Sequence, residues 1–221
     1  MRTKNTRNVF LTPDVASEYD TYYQTEIGKT VDKIEKEIVS AHLSNLPKTN
    51  WLELGCGTGH WTKFYNENGM QIIAVDNSEA MLKIARSKNM KNVQFLNADT
   101  TRLPFPDTRF SGIISITMLE FVDDLEKALN ETDRVLQPGG TLVLGCLNAH
   151  SEQWKNKNND PVLQHAHFFT PEEIKKMLAR FGNPRISAGV YFSPNFEILD
   201  GTEKQSTFAP AFFAASVQKN K

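Results

Sequence analysis

The sequence predicts a doubly wound α/β fold whose sheet is mostly parallel. Two observations lead to this prediction. Short apolar runs alternate with segments of helical periodicity from residue 30 to residue 182, and three alternating glycines follow the first apolar run directly, in WLELGCGTGHW (51–61). Strictly alternating strands and helices need crossover connections, and such connections place neighbouring strands parallel.

Seven apolar runs are predicted as strands. Five of them belong to the alternating part of the chain: 50–54, 70–76, 92–99, 110–117 and 140–147. The last two, 185–192 and 211–218, have no convincing helix between them. They are therefore predicted to pair antiparallel at the end of the chain.

Five segments are predicted as helices: 30–43, a segment from about Thr58, 78–88, 123–136 and 170–182. The first has a single apolar face, formed by Val31, Ile34, Ile38, Val39 and His42. Ser78 and Thr170 are predicted N-caps, and Pro171 and Glu173 add a favourable first residue and a capping box. The run Gln137–Gly140 is expected to stop the fourth helix.

Composition narrows the classes of function. The chain has 221 residues, of which 39% are hydrophobic and 23% charged, and this fits a single domain over 1–221. Its net charge of −1 argues against a basic surface for nucleic acid. No apolar stretch approaches the roughly 18 residues of a membrane span, and no signal peptide is recognised. We therefore expect a cytoplasmic protein that binds neither nucleic acid nor membrane. Cys56 and Cys146 suggest neither a disulfide framework nor a metal site.

The glycine run is predicted to contact a ligand. In doubly wound sheets, ligands bind outside the carboxyl ends of the strands, and glycine lets the backbone approach them because it has no Cβ. Gly55, Gly57 and Gly59 follow the pattern G-x-G-x-G. The dinucleotide fingerprint would need a glycine at position 60, which is His60.

Acidic residues near three predicted strand ends indicate what the ligand carries. Glu53 lies inside the first strand, where an ammonium group would stabilise its carboxylate. Asp76 ends the second strand and is placed to accept from both ribose hydroxyls. Asp99 and Thr100 end the third strand on the same edge, where Asp99 would accept from an exocyclic amine. S-adenosylmethionine (SAM) combines an amino-acid end, a ribose and an adenine.

At this point the chain resembles the class I, Rossmann-like SAM-dependent methyltransferases. The resemblance rests on WLELGCGTG (51–59), IIAVDNSEAML (72–82), FLNADTTRLPFPDTRFSGIISI (95–116), and RVLQPGG with TLVLG (134–145). It implies a seven-stranded sheet of order 3-2-1-4-5-7-6, with strand 7 antiparallel and helices on both faces.

The resemblance also implies cofactor-binding roles. The backbone around Gly55, Cys56, Gly57 and Gly59 would hold the methionine portion of SAM, and Glu53 would support its amino group. The remaining residues lie at strand ends. Asp76 would bind the ribose, and Asn77, Asp99 and Thr100 would contact the adenine. Thr117 and Met118 would lie near the sulfonium. After transfer the product would be S-adenosylhomocysteine (SAH).

Residues for the acceptor are less well defined by the pattern. Many relatives have a His soon after strand four, whereas this chain has Glu120 there, so Glu120 and His150 are the candidate catalytic residues. A lid or acceptor pocket is predicted from Tyr19, Tyr22, Tyr23 and Asn148; alternatively, the tyrosines pack the first helix on the sheet. His165 and His167 lack a third ligand, so no metal is predicted.

The predicted organisation is an N-terminal helical cap or lid (1–45), a cofactor-binding core (50–147) and a C-terminal half with acceptor loops (148–221). The predicted function is SAM-dependent methylation of a small molecule by in-line displacement. Two alternatives remain at this stage: a non-catalytic SAM-binding module acting as a sensor or partner subunit, and an NAD-dependent oxidoreductase.

Overall fold

Seven strands form one sheet in the computed structural model, which describes residues 9–154, 157–193, 197–199 and 209–221. The strands are β1 (Trp51–Leu54), β2 (Ile72–Asp76), β3 (Val93–Asn97), β4 (Phe110–Ile116), β5 (Leu136–Leu147), β6 (Arg185–Gly189) and β7 (Phe212–Gln218). Their order is β3-β2-β1-β4-β5-β7-β6, and β7 pairs antiparallel with both β5 and β6. The predicted sheet order is confirmed.

Six α-helices accompany the sheet in the described residues: α1 (Pro13–Glu18), α2 (Glu26–Leu43), α3 (His60–Glu67), α4 (Glu79–Ser87), α5 (Leu125–Val135) and α6 (Pro171–Leu178). Short 3₁₀ segments lie between them, of which Tyr19–Gln24 and Leu119–Phe121 concern the site. The predicted caps are present, because Ser78 accepts from Met81 N and Thr170 with Glu173 forms a capping box.

The sheet carries a hydrophobic core on each face because side chains alternate along its strands. On one face Leu142 and Leu144 of β5 belong to the core under α5 and α6, and on the other face Val143 belongs to the core under α2 and α3. In β1 the same alternation puts Glu53 on the side of Trp51, the face that α2 and α3 cover. A carboxylate is thus built into an otherwise apolar layer.

Several predicted boundaries are wrong by a few residues. Helix α2 begins at Glu26 rather than 30, because Thr25 caps it by accepting from Gly28 N at 2.9 Å. Its first turn is mostly polar and exposed, so it has no apolar periodicity to detect. Helix α5 ends at Val135, and β5 begins at Leu136 instead of 140. The strand runs through the Pro-Gly-Gly segment, with a register shift against β4 between Phe110 and Gly112.

The end of the sheet also differs from prediction. Strand β6 ends at Gly189 rather than 192, because Val190 adopts a left-handed backbone with φ of 57°. Within the described ranges, no helix has the length and apolarity to cross a bilayer. Cys56 and Cys146 are both buried and free, as expected.

Candidate cofactor and acceptor site

A cavity of about 330 Å³ opens at the carboxyl ends of the central parallel strands. Its walls come from the ends of β1, β2 and β4, from the loop after β3, from the segment 116–124, and from the N-terminal segment. Eight residues predicted to bind cofactor line it: Gly55, Gly57, Asp76, Asn77, Asp99, Thr100, Thr117 and Met118. Edges of parallel sheets bring strand ends together in this way, so residues far apart in sequence share one wall.

The loop after β1 turns sharply and exposes its backbone. The N–H groups of Gly55 and Cys56 both donate to Val75 O, at 2.8 and 3.0 Å. Gly55 has φ of 71°, and a Cβ there would lie 2.1 Å from Met118 Cγ, so the loop packs directly on the cavity wall. At Gly57, with φ of 53°, no atom lies within 4 Å of a Cβ position. Gly57 therefore presents bare backbone to the open space of the cavity.

Asp76 ties this loop to the next one. Its Oδ2 accepts from Gly57 N and its Oδ1 from Ser78 N, both at 2.8 Å. Burial raises the pKa of Asp76 even though these hydrogen bonds act in the opposite direction. The carboxylate is thus partly desolvated at the edge of the cavity, where a hydroxyl donor from a ligand would be well stabilised.

Asn77 and Asp99 form the outer wall and are exposed. Asp99 Oδ1 accepts from Thr101 N and from Thr101 Oγ1, both at 2.8 Å, which fixes the carboxylate in the turn after β3. Thr117 has φ of 48°, and its N–H donates to Gly145 O at 2.8 Å, so β4 ends there and Met118 turns into the cavity.

Three predicted cofactor residues, Glu53, Cys56 and Gly59, do not line the cavity. Glu53 is 3% exposed, and its Oε2 accepts from Thr62 Oγ1 at 2.6 Å. Burial raises its pKa to about 8, and the nearby Asp76 charge acts in the same direction. Cys56 is buried, and Gly59 caps α3 with φ of 78°. These residues support the loop from its buried side. The role of Glu53 toward a cofactor amino group stays a prediction.

The N-terminal segment covers the cavity and is fastened to its walls. Asp20 accepts from Thr58 Oγ1 at 2.6 Å and from Lys88 Nζ at 2.7 Å, which joins the 3₁₀ segment to the glycine loop and to the end of α4. Ser78 Oγ donates to Phe10 O at 2.6 Å. Phe10 in turn packs edge-on against a cavity residue, Phe121, at 4.8 Å between ring centroids.

The three predicted lid tyrosines have three different environments. Tyr19 lines the cavity, as the lid prediction requires. Tyr23 stacks on His60 of α3 at 3.5 Å between ring centroids and does not line the cavity. Tyr22 is 47% exposed. In a 3₁₀ segment, with three residues per turn, the adjacent Tyr22 and Tyr23 point in different directions, so one is exposed and the other is stacked.

The predicted acceptor residue Asn148 and the candidate catalytic residues Glu120 and His150 lie outside the cavity wall. Asn148 is 2% exposed; its Nδ2 donates to Pro210 O at 2.8 Å, and its Oδ1 accepts from His150 N at 3.1 Å. The amide of Asn148 joins the end of β5 to the segment before β7, and its role toward an acceptor stays a prediction. His150 is exposed, and Glu120 is 2% exposed with Oε1 accepting from Leu147 N at 2.8 Å.

Sequence reasoning missed Phe10 and Asp20, of which Phe10 lines the cavity. Neither lies next to a strand end or a glycine motif, so no local signal marked them. His165, which also lines the cavity, belongs to the segment 164–169, for which the sequence predicts a place in the acceptor wall. The described parts of the chain hold no group of three or more metal-ligating side chains. The loop 192–205, which the sequence predicts as either a further rim of the acceptor site or a surface connection, lies largely outside the described residues.

Comparison with known proteins agrees with this site. A family model described as "Methyltransferase domain" matches residues 52–144, the segment that carries the cavity loops. A solved structure from Thermotoga maritima is similar to the chain, with a TM-score of 0.76 and 26% identity over 94% of this chain and 98% of that one. It is described as a SAM-dependent methyltransferase, possible histamine N-methyltransferase.

Two curated relatives differ in how much of them is matched. An uncharacterised protein of Methanocaldococcus jannaschii is 29% identical over 90% of this chain and 94% of its own length. A malonyl-[acyl-carrier protein] O-methyltransferase of Hamiltonella defensa is 32% identical, but over 59% of this chain and 52% of its own length. The chain thus spans about half the length of that relative.

The groups around the cavity fit SAM. Two carboxylates, Asp76 and Asp99, lie at strand ends where hydroxyl and amino donors of a nucleoside would be accepted. Gly57 leaves open the space that a Cβ would fill. The buried carboxyl of Glu53 lies behind the same loop, where a bound ammonium would favour its ionised form.

Gly57→Ala should weaken SAM binding at least 10-fold, because its methyl group enters the cavity. Gly139→Ala is the matched control, since Gly139 also has positive φ (77°) and no atom within 4 Å of a Cβ. Both variants should lose a similar amount of stability, about 1–2 kcal/mol for a left-handed alanine. Thermal unfolding and calorimetry with SAM test this. Equal SAM affinity in the two folded variants would show that the loop has only a structural role.

Asp76→Asn should weaken SAM binding by about 2 kcal/mol, roughly 30-fold, because the ribose would lose a charged acceptor. Glu67→Gln on α3 is the control: that carboxylate is 61% exposed and pairs with Lys63 at 3.8 Å. Calorimetry gives the affinities, and circular dichroism verifies folding. Wild-type affinity in folded Asp76→Asn would remove Asp76 from the cofactor site.

Glu53→Gln should flatten the pH dependence of stability. The pKa of Glu53 is raised to about 8 in the folded protein from an ordinary 4.5, so the folded state holds a proton that the unfolded state releases. Its contribution is complete below pH 4.5 and is lost as pH rises to 8, at up to about 1.4 kcal/mol per pH unit. As pH rises from 5 to 8.5, the melting temperature of Glu53→Gln should increase relative to that of wild type. The melting temperature of Glu67→Gln should not change relative to wild type over the same range. Parallel curves for all three proteins would contradict the assignment.

Proposed function

We propose that the chain is a class I SAM-dependent methyltransferase that transfers the methyl group of SAM to a small-molecule acceptor. The supporting observation is the enclosure of the cavity. One side is formed by cofactor-binding strand ends, and the other by Phe10, Tyr19 and His165, which lie outside the core 50–147. An acceptor that reaches the cofactor inside such walls is more easily a small molecule than a macromolecular surface.

Bound SAM supplies an electrophilic methyl group on a positively charged sulfur. The residues of this chain position the reactants and exclude water from them. Asp76 and the loop Gly55–Gly59 fix the cofactor, while Phe10 and Tyr19 cover the cavity. Holding both reactants in line contributes about 7 kcal/mol or more of the acceleration. A general base is required only for an acceptor that holds its proton at the working pH.

The acceptor is selected by parts of the chain outside the family match. Residues 52–144 supply the cofactor side, whereas Phe10, Tyr19 and His165 form the opposite wall. One relative is named for an acceptor that is a malonyl group on a carrier protein. The match to the core therefore gives no reason to assign that acceptor to this chain. The Thermotoga maritima neighbour matches nearly the whole chain, and its description as a possible histamine N-methyltransferase supports a small acceptor here.

The proposal extends to organisation and location. Residues 9–45 act as a cap, 50–147 bind cofactor, and the described part of 148–221 supports the acceptor wall. The net charge of −1 supports an acceptor other than nucleic acid, and a cytoplasmic location agrees with the composition. Of the earlier alternatives, the family match overturns an NAD-dependent oxidoreductase. A non-catalytic SAM-binding module would lack turnover.

A SAM-consumption assay separates the enzyme from the non-catalytic module. The purified protein is incubated with SAM and fractions of a metabolite extract, and SAH is quantified by mass spectrometry. We expect SAH to form with particular low-molecular-weight fractions, to fall sharply in Asp76→Asn, and to persist in Glu67→Gln. SAM binding with no SAH from any fraction would identify a binding module, and SAH formation confined to macromolecular fractions would overturn the small-molecule acceptor.

A further inference from the structure

Of the described side chains that line the cofactor cavity, one is an imidazole, that of His165. The residue is partly buried. Within the parts of the chain that the structure describes, its ring makes no hydrogen bond, ion pair or ring contact. An imidazole is the side chain best suited to taking up a proton near neutral pH. A ring without a protein partner on the wall of a reaction cavity can therefore act on a bound acceptor.

The backbone that carries His165 is held on both sides of the residue. Before it, Asp160 Oδ1 accepts from Leu163 N at 2.8 Å, at the start of the 3₁₀ turn that ends in His165. After it, Ala166 is buried, and its carbonyl oxygen accepts from Lys157 Nζ at 2.6 Å. Fixed backbone on either side keeps the imidazole in one place, as the alignment of reactants requires.

The same segment is attached to the cavity wall at Phe121. The N–H of His167 donates to Glu120 O at 2.7 Å, which joins the two backbones beside His165. Leu163 and Phe121 also pack against one small apolar cluster. The imidazole of His165 and the ring of Phe121 therefore belong to one part of the wall.

Met118 connects this part of the wall to the cofactor loop. Its side chain lines the cavity and packs directly on Gly55, in the loop predicted to hold the methionine portion of SAM. The N–H of Phe121 donates to Met118 O at 3.0 Å. The cofactor loop, Met118, Phe121 and the segment of His165 thus follow one another along one side of the cavity, which puts the imidazole on the acceptor side of the predicted sulfonium position.

The other titratable side chains on the wall are less suited to remove a proton from an acceptor. Asp76 accepts from two backbone N–H groups, and Asp99 accepts from its own turn. Asp124 caps α5 and pairs with a lysine of that helix at 2.7 Å, and Asp123 is exposed to solvent. Burial raises the pKa of Tyr19 to about 12, so this phenol keeps its proton at neutral pH. The imidazole is left as the base of the wall.

Three aromatic rings form a continuous surface on the acceptor side. Phe10 packs edge-on against Tyr19 at 6.2 Å and against Phe121 at 4.8 Å between ring centroids, and all three residues line the cavity. Such a surface suits a flat aromatic ring, which gains contact area and stacked or edge-on contacts from it. A phenol combines that ring with a hydroxyl whose ordinary pKa is about 10. An imidazole can take the phenol proton as the methyl group is transferred.

We propose that His165 is the general base for methylation of a phenolic hydroxyl, whose ring lies on the aromatic surface of Phe10, Tyr19 and Phe121. This inference rests on the proposed methyl transfer and names its acceptor class and its base. The imidazole takes the O–H proton, and an oxygen electron pair forms the C–O bond to the methyl carbon. The C–S bond breaks with its electron pair going to sulfur. The products are an aryl methyl ether, SAH and a protonated imidazole, which releases its proton to solvent.

The test uses the extract fraction that yields SAH with wild-type protein. In His165→Ala the rate of SAH formation should fall about 100-fold or more, as expected for loss of a general base, whereas Glu67→Gln should keep the wild-type rate. Calorimetry should show unchanged affinity for SAM and, in the SAH-loaded protein, for the acceptor purified from that fraction. Free imidazole should restore part of the lost rate, and pyrrole, a ring of the same size without a basic nitrogen, should not. His165→Gln replaces the alanine variant if circular dichroism shows the latter to be unfolded.

The outcomes separate this inference from the proposed reaction. Tandem mass spectrometry of the product should show a methoxy group on an aromatic ring, and methylation of any other group overturns the phenol. A wild-type rate in a folded His165 variant, or restoration by both added rings or by neither, overturns the base. In each of these results methyl transfer stands, because wild type forms SAH. If no fraction yields SAH, methyl transfer falls and the base falls with it.

Discussion

The carboxylate of Asp76 holds together the two turns on which the site depends. It accepts from Gly57 N in the loop after β1 and from Ser78 N at the start of α4. Parallel strands bring those turns side by side, but only a short acidic side chain at the end of β2 can accept from both without filling the cavity. The fold therefore sets the position of the site, and a single carboxylate sets the shape of its floor.

The N-terminal cover is attached to the same turns. Asp20 accepts from Thr58 in the glycine loop, and Ser78, already bound to Asp76 through its N–H, donates through its hydroxyl to Phe10 O. Cover and floor are thus joined by short polar contacts as well as by the packing of Phe10 on Phe121. Because such contacts exchange readily with water, the cover can part from the floor at a lower cost than the core strands can separate.

The sequence revealed most about what is periodic or local. The alternation of elements, the caps at Ser78 and Thr170, and the glycine loop depend on neighbours in the chain, and the structure contains each of them. The burial of Asn148 could not be predicted, because its hydrogen-bond partner Pro210 is 62 residues away in the chain.

Two buried carboxyls, Glu53 and Glu120, have a common physical meaning. Burial raises the pKa of each, so each makes the folded state less stable as pH rises toward 8. Apolar or amide side chains would avoid that cost, and the hydrophobic layers around them would accommodate such replacements. Their negative charge becomes favourable when a positive group is bound nearby. Glu53 lies behind the cofactor loop, and Glu120 lies in the chain between Met118 and Phe121, which line the cavity. The stability lost to these carboxyls is therefore concentrated beside the cavity, where cationic ligands would restore it.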